Sequence, residues 1–237
     1  MKIPANFLNL PGELRNKIYG HLLVRNEIIN PWQRNYDLAP NLLSTSKKIQ
    51  HETSTLLYGN NCFDLTGCDF ELISGFFDKI GCDNMTKLRS IYIDFPIIRN
   101  FEDNISLDKN SSDIITRIEK HCTNLRTLKT CPIRTNNMGL NSFDNPSITA
   151  KAFRLVDARF RAISSLDKII VEVFEDEPTF ETRITMENQG WTVHVVERVE
   201  QWDSGSSFGC YEDWDDNYGY YDYDIDNDSD FWRRAAD

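Results

Sequence analysis

The chain has 237 residues, a net charge of −11, 40% hydrophobic and 27% charged content, enough for one large domain or two small ones with a core that needs no covalent staple. It holds no run of eighteen apolar residues that would span a membrane and no basic stripe suited to a phosphate backbone, so neither a membrane nor a nucleic acid is an expected partner. The charge is unevenly placed: from Asp203 to Asp237 eleven acids face only Arg233 and Arg234, a net of −9, which leaves −2 for residues 1–202.

The N-terminus, MKIPANFLNLPGEL, lacks the apolar h-region and cleavage site of a secretory signal, so a cytoplasmic or nuclear location is expected. The cysteines Cys62, Cys68, Cys82, Cys122, Cys131 and Cys210 show neither CxxC nor zinc-finger spacing. They read as reduced thiols, with no metal site and no cofactor. After Pro11, the apolar positions Leu14, Ile18, Tyr19, Leu22 and Leu23 recur at helical spacing and predict one amphipathic helix. Pro11 suits a first helical turn, where its missing N–H is not needed, and Glu13 suits the helix dipole. Leu8 and Leu10 precede the helix and can fold back on it. A second stripe follows at Leu42, Leu43, Ile49, Leu56 and Leu57, ended by Gly59-Asn60-Asn61. Cys62 to Leu65 then reads as a short strand.

Two parts carry a resemblance. The first is Leu-x-Leu-Pro-x-Glu-Leu-Arg-x-x-Ile-Tyr-x-x-Leu-Leu. The second is Leu-Leu-x-x-x-Lys-x-Ile-x-x-Glu-x-x-x-Leu-Leu-Tyr-x-x-Asn-x-Phe. Together, over Phe7 to Leu65, they resemble the F-box-like module abundant in filamentous fungi. The resemblance implies a docking surface for the Skp-type adaptor of a cullin-type ubiquitin ligase, formed by Leu8, Leu10, Pro11, Leu14, Ile18 and Leu22. The chain lacks the Val-Cys-x-x-Trp signature of F-boxes in its second half, and residues 24–40 make a long connection. The alternative is that the same leucines only pack against the rest of the chain, as an adaptor-independent structural cap.

Residues 66–202 repeat a form. Met85–Ile93, Cys122–Thr130 and Ile163–Val171 each carry Leu-x-x-(Leu/Ile) leading into a strand-like run, with Leu88, Leu125 and Leu166 spaced 37 and 41 residues apart. Each follows a helical stripe, with Ser111, Ser112 or Asp113 as candidate caps before the second. Helix-then-strand at this period predicts an α/β fold with parallel strands. It resembles an irregular leucine-rich repeat, with a small mixed sheet (an α+β arrangement) as the alternative. Trp191–Val199 reads as a last strand, and residues 100–112 and 131–147 read as loops. In repeat-bearing relatives of the F-box type such a sheet selects a client protein. The domain expectation is therefore 1–65, 66–202 and a tail at 203–237.

The tail interleaves its acids with nine aromatic residues, a composition of low aliphatic content that opposes compaction. Trp214, Tyr220, Tyr221, Tyr223, Phe231 and Trp232 are its candidate anchors on a basic protein surface. The search for chemistry yields little. Gly205-Ser206-Ser207-Phe208-Gly209 matches G-x-S-x-G, which would make Ser207 a hydrolase nucleophile, but no helical stripe and no histidine follow it. A small-residue linker is the preferred reading. Asp224, Asp226, Asp228 and Asp230 begin like a calcium loop, yet Ser229 and Ala235 stand where Gly and Glu are required. No catalytic residue is assigned, and a non-enzymatic interaction protein is the expectation.

Overall fold

The structure is a computed structural model that describes residues 7–33, 38–101, 104–132, 146–175 and 178–197. A 3-10 turn (Phe7–Asn9) precedes α1 (Gly12–Leu23); a second (Pro40–Ser44) precedes α2 (Lys47–Asn60). Strand β1 (Cys62–Asp64) follows at once, then α3 (Phe70–Ile80), the single turn α4 (Cys82–Met85) and β2 (Ser90–Asp94). A hairpin of β3 (Ile98–Phe101) and β4 (Asn104–Leu107) leads to α5 (Lys109–His121) and β5 (Thr127–Cys131). The last described elements are α6 (Pro146–Arg161), β6 (Lys168–Phe174), α7 (Phe180–Asn188) and β7 (Thr192–Val196).

The fold is α/β. Five parallel strands lie in the order β1-β2-β5-β6-β7, and the β3–β4 hairpin forms a separate antiparallel pair. Every crossover steps the same way across the sheet. Crossovers of the usual right hand then put the connecting helices α3 to α7 on one face. The core agrees with that placement. Phe63, Ile91, Leu128 and Ile169 stand in one register row and join Phe77 of α3, Ile118 of α5 and Phe160 of α6 in a single apolar cluster.

The three Leu-x-x-(Leu/Ile) segments do the same structural job. The amides of Leu88, Leu125 and Leu166 donate to the carbonyls of Met85, Cys122 and Ile163, at 3.2, 3.1 and 3.0 Å. One residue on, Arg126 and Thr127 donate to the Arg89 carbonyl, and Asp167 and Lys168 donate to that of Arg126, all at 2.9 Å. Each segment is a tight turn that feeds a strand at the same level of the sheet.

Several expectations are corrected. Residues 100–112, expected as a loop, contain part of the β3–β4 hairpin and the start of α5. The α5 cap is Asp108, whose carboxylate accepts from the Asn110 amide at 2.9 Å, rather than Ser111, Ser112 or Asp113. Burial raises the Asp108 pKa, but the hydrogen bonds from Arg99 and from the Asn110 and Ser111 amides outweigh it and hold the carboxyl below its usual range. Leu42 and Leu43 sit in their own 3-10 turn, because Ser46 caps α2 by accepting from the Ile49 amide at 3.3 Å. Helix α7 was not expected at all: its one buried residue is Met186, so it shows no stripe.

The sequence boundary at residue 65 does not divide the core. Tyr19, Leu23, Leu57 and Tyr58 belong to the same cluster as the sheet residues, and the Tyr58 and Phe76 rings flank Phe63 of β1 at 5.9 and 5.8 Å. The tail at 203–237 lies outside the described residues.

Candidate functional site

Helix α1 is where sequence and geometry meet. Arg15, Tyr19 and Leu23, spaced by four, are its buried face. Leu14, Ile18 and Leu22, spaced by four and one residue earlier, are 46%, 40% and 36% exposed. The apolar positions expected to form one stripe are thus two. Tyr19 and Leu23 turn inward, and three aliphatic side chains line the outer surface of the same helix.

A polar network sets this rotation. The Arg15 guanidinium donates from Nε to Glu52 Oε2 of α2 at 2.9 Å and from Nη2 to Glu52 Oε1. Its Nη1 donates to the Leu10 carbonyl and, at 3.4 Å, to that of Leu8. The Tyr19 hydroxyl donates to Glu52 Oε2 at 3.3 Å, and Phe7 packs edge-on against the Tyr19 ring at 5.5 Å. The hydrogen bond from Arg15 holds the Glu52 carboxyl below its usual range, and the same bond raises Arg15. Burial pushes the Tyr19 phenol up, and Glu52 adds to that. A buried charge is retained where it is paired and hydrogen-bonded, so Arg15 must face α2. The aliphatic side chains beside it in sequence are left facing out.

Asn61 completes the joint. Its amide donates to the carbonyls of Leu23 and Leu57, both at 2.7 Å, and its oxygen accepts from the Arg25 amide at 2.8 Å. One buried side chain therefore satisfies orphan groups at the ends of both helices.

Of the six docking residues expected from the sequence, Pro11, Leu14, Ile18 and Leu22 are exposed on α1 or at its head, while Leu8 and Leu10 are half-buried beside it. Arg15, Tyr19, Glu52 and Asn61, which hold the site in place, all stood in the quoted motif. Their signal was a polar residue inside an apolar stripe, matched by another polar residue in the second helix. Trp214, Tyr220, Tyr221, Tyr223, Phe231, Trp232 and Ser207 lie outside the described residues.

The sheet face that alternates with the helix-packed rows is mixed: Lys129 and Glu172 stand there beside the buried Tyr92 and Ile170. The Tyr92 hydroxyl donates to Glu172 Oε2 at 2.8 Å, reaching over β5. Burial raises the Cys62 thiol pKa there, against smaller opposing effects of Ser90 and Lys129. Among the described residues no group of three or more His, Cys, Asp or Glu could hold a metal, and no helix is long and apolar enough to cross a membrane. Comparison with protein families, with curated proteins and with solved structures finds no match for this chain.

Proposed function

We propose that the chain is a non-catalytic interaction subunit whose α1 surface docks a Skp-type adaptor of a cullin-type ubiquitin ligase, in the cytoplasm or nucleus. The observation that carries this reading is the exposure of Leu14, Ile18 and Leu22 along one line of a helix fastened from its other side. Three aliphatic side chains at a spacing of four form a strip that gains by leaving water, which suits a partner helix or groove. The F-box-like pattern says which partner to try first. The sheet face away from the helices, where Lys168 and His194 are exposed, is then the surface for an as yet unidentified client protein.

The second reading, a structural cap, is favoured by the inner half of the same helix. Arg15 and Tyr19 anchor α1 to α2, and α2 shares the core of the body. The two readings use different rows of α1, about 100° apart around the helix, so capping by Arg15 and Tyr19 leaves Leu14, Ile18 and Leu22 exposed.

Co-purification with a fungal Skp adaptor tests the proposal, with a Leu14→Asp, Ile18→Asp variant beside the native chain. Anchor residues at an interface centre typically contribute about 2 kcal/mol or more each, so the expected loss of affinity is at least about a hundredfold. The variant should keep its far-UV circular dichroism and melting transition. No complex with the native chain, or equal binding by the variant, sinks the adaptor reading and leaves the cap.

A further inference from the structure

The far end of the sheet is unfinished. Phe180 and Ile184 of α7 are 75% and 39% exposed, and Val195 of β7 is 51% exposed. Phe180 and Ile184 are spaced by four and share one side of α7. By strand alternation Val195 points to the same sheet face as Val193 and the buried Trp191, the face α7 covers. In a stacked α/β array each unit's apolar flank is buried by the next one, and a terminal unit needs a polar outer surface or a cover. Here the described flank is only partly polar: Glu181 and Glu187 are exposed on α7, but so are Phe180, Ile184 and Val195.

We propose that residues 203–237 of this chain are the cover, docking their aromatic side chains on Phe180, Ile184 and Val195 and their acids on the neighbouring basic surface of α6. The exit point fits. Val196 pairs with Phe174 in the sheet, and the Phe174 carbonyl accepts from Arg183 Nη2 of α7 at 2.8 Å. The chain therefore leaves β7 one strand away from α7, with 40 residues still to come after Glu197. Six extended residues span about 20 Å, so everything from Asp203 onward can reach the patch.

The chemistry fits as well. The segment carries nine aromatic residues and a net charge of −9. Helix α6 lies beside α7, with Arg161 Nη2 donating to the Gln189 carbonyl at 2.8 Å, and it exposes Lys151, Arg154 and Arg159. Glu181 and Glu187 are exposed on α7 itself. They repel acids from that side, so the acids belong over α6 and the aromatics over α7. This inference is independent of the adaptor reading, which concerns the opposite end of the sheet.

Hydrogen exchange of the full chain by mass spectrometry tests it, comparing the native protein with a Phe180→Glu, Ile184→Glu variant and with a Lys151→Glu, Arg154→Glu variant. Peptides covering Trp214–Tyr223 and Phe231–Trp232 should exchange at least about tenfold more slowly than an unstructured chain in the native protein. Both variants should lose that protection while peptides of α1 and α2 remain unchanged, which establishes that the body is still folded. Salt at about 1 M, where the Debye length is ~3 Å, should weaken it too. Full exchange of the tail in the native protein overturns the proposal, as does protection that survives both pairs of substitutions. Protection that rises with protein concentration, together with a doubled mass in light scattering, assigns the patch to a second copy and overturns docking within one chain.

Discussion

At the β1 edge of the sheet, Ile29 lies alongside as a one-residue extension: its amide donates to the Cys62 carbonyl at 2.8 Å, and its carbonyl accepts from Asp64 at 2.7 Å. Behind it α2 and α1 stack over the core. At the β7 edge no described strand follows, and the last described helix contributes a single buried residue, Met186. The long 24–40 connection lays Ile29 along β1, and no described segment does the same along β7. An edge strand exposes unpaired amides and carbonyls and invites a partner, so the two ends differ in what they have left to bind. The β1 end offers one outer helix face, and the β7 end offers a strand edge with an apolar flank.

Substitutions at matched places should make the contrast quantitative. Phe63→Ala removes a fully buried ring that packs between Tyr58 and Phe76 and should cost about 3–5 kcal/mol in chemical denaturation. Val195→Ala, at the other edge, should cost about 1 kcal/mol or less, since its half-exposed methyls lose a docked segment rather than a core. Comparable losses at both positions would mean that the β7 end is as closed as the β1 end. Asn61→Ala should cost about 2 kcal/mol or more, since it orphans the Leu23 and Leu57 carbonyls and the Arg25 amide; a smaller loss in the same titration would show that water replaces the side chain.

Acid should loosen the β1 end. The native Glu52 pKa lies below its ordinary 4.5 because of the hydrogen bond from Arg15. The stabilisation is therefore fully present above that ordinary value and is lost as pH falls through the depressed native one. Glu52→Gln should lower the melting temperature at neutral pH, and the gap to the native protein should narrow towards pH 3. A gap that is independent of pH would show that the Arg15–Glu52 pair contributes no linkage. A small effect on stability is expected at the outer α1 face, where Leu14→Asp with Ile18→Asp should shift the unfolding free energy by no more than about 1 kcal/mol. A larger shift would place those side chains in the core and remove the docking surface.

Much of the architecture was legible. Leu88, Leu125 and Leu166 mark turns into strands, and their spacing of 37 and 41 residues matches one α/β unit each, because a parallel pair needs a crossover long enough to hold a helix. The β3–β4 hairpin was hidden because its strands are short and interrupted by Asn and Ser, so alternation never builds up over enough residues to register. Helix α7 was hidden because only one of its side chains is buried, and a helix without an apolar stripe leaves no periodic trace.

The sequence by itself determined the order and kind of the main elements and the residues of the F-box-like pattern, since local periodicity and turn chemistry act over a few neighbouring positions. It did not determine which way α1 faces. Its apolar positions read as one broad stripe, and only the pairing of Arg15 with Glu52, 37 residues away, turned Tyr19 and Leu23 to the core and left Leu14, Ile18 and Leu22 outside. It likewise left open which sheet edge is covered. That depended on Ile29 reaching β1 across an irregular connection, a contact between distant segments that no local pattern encodes.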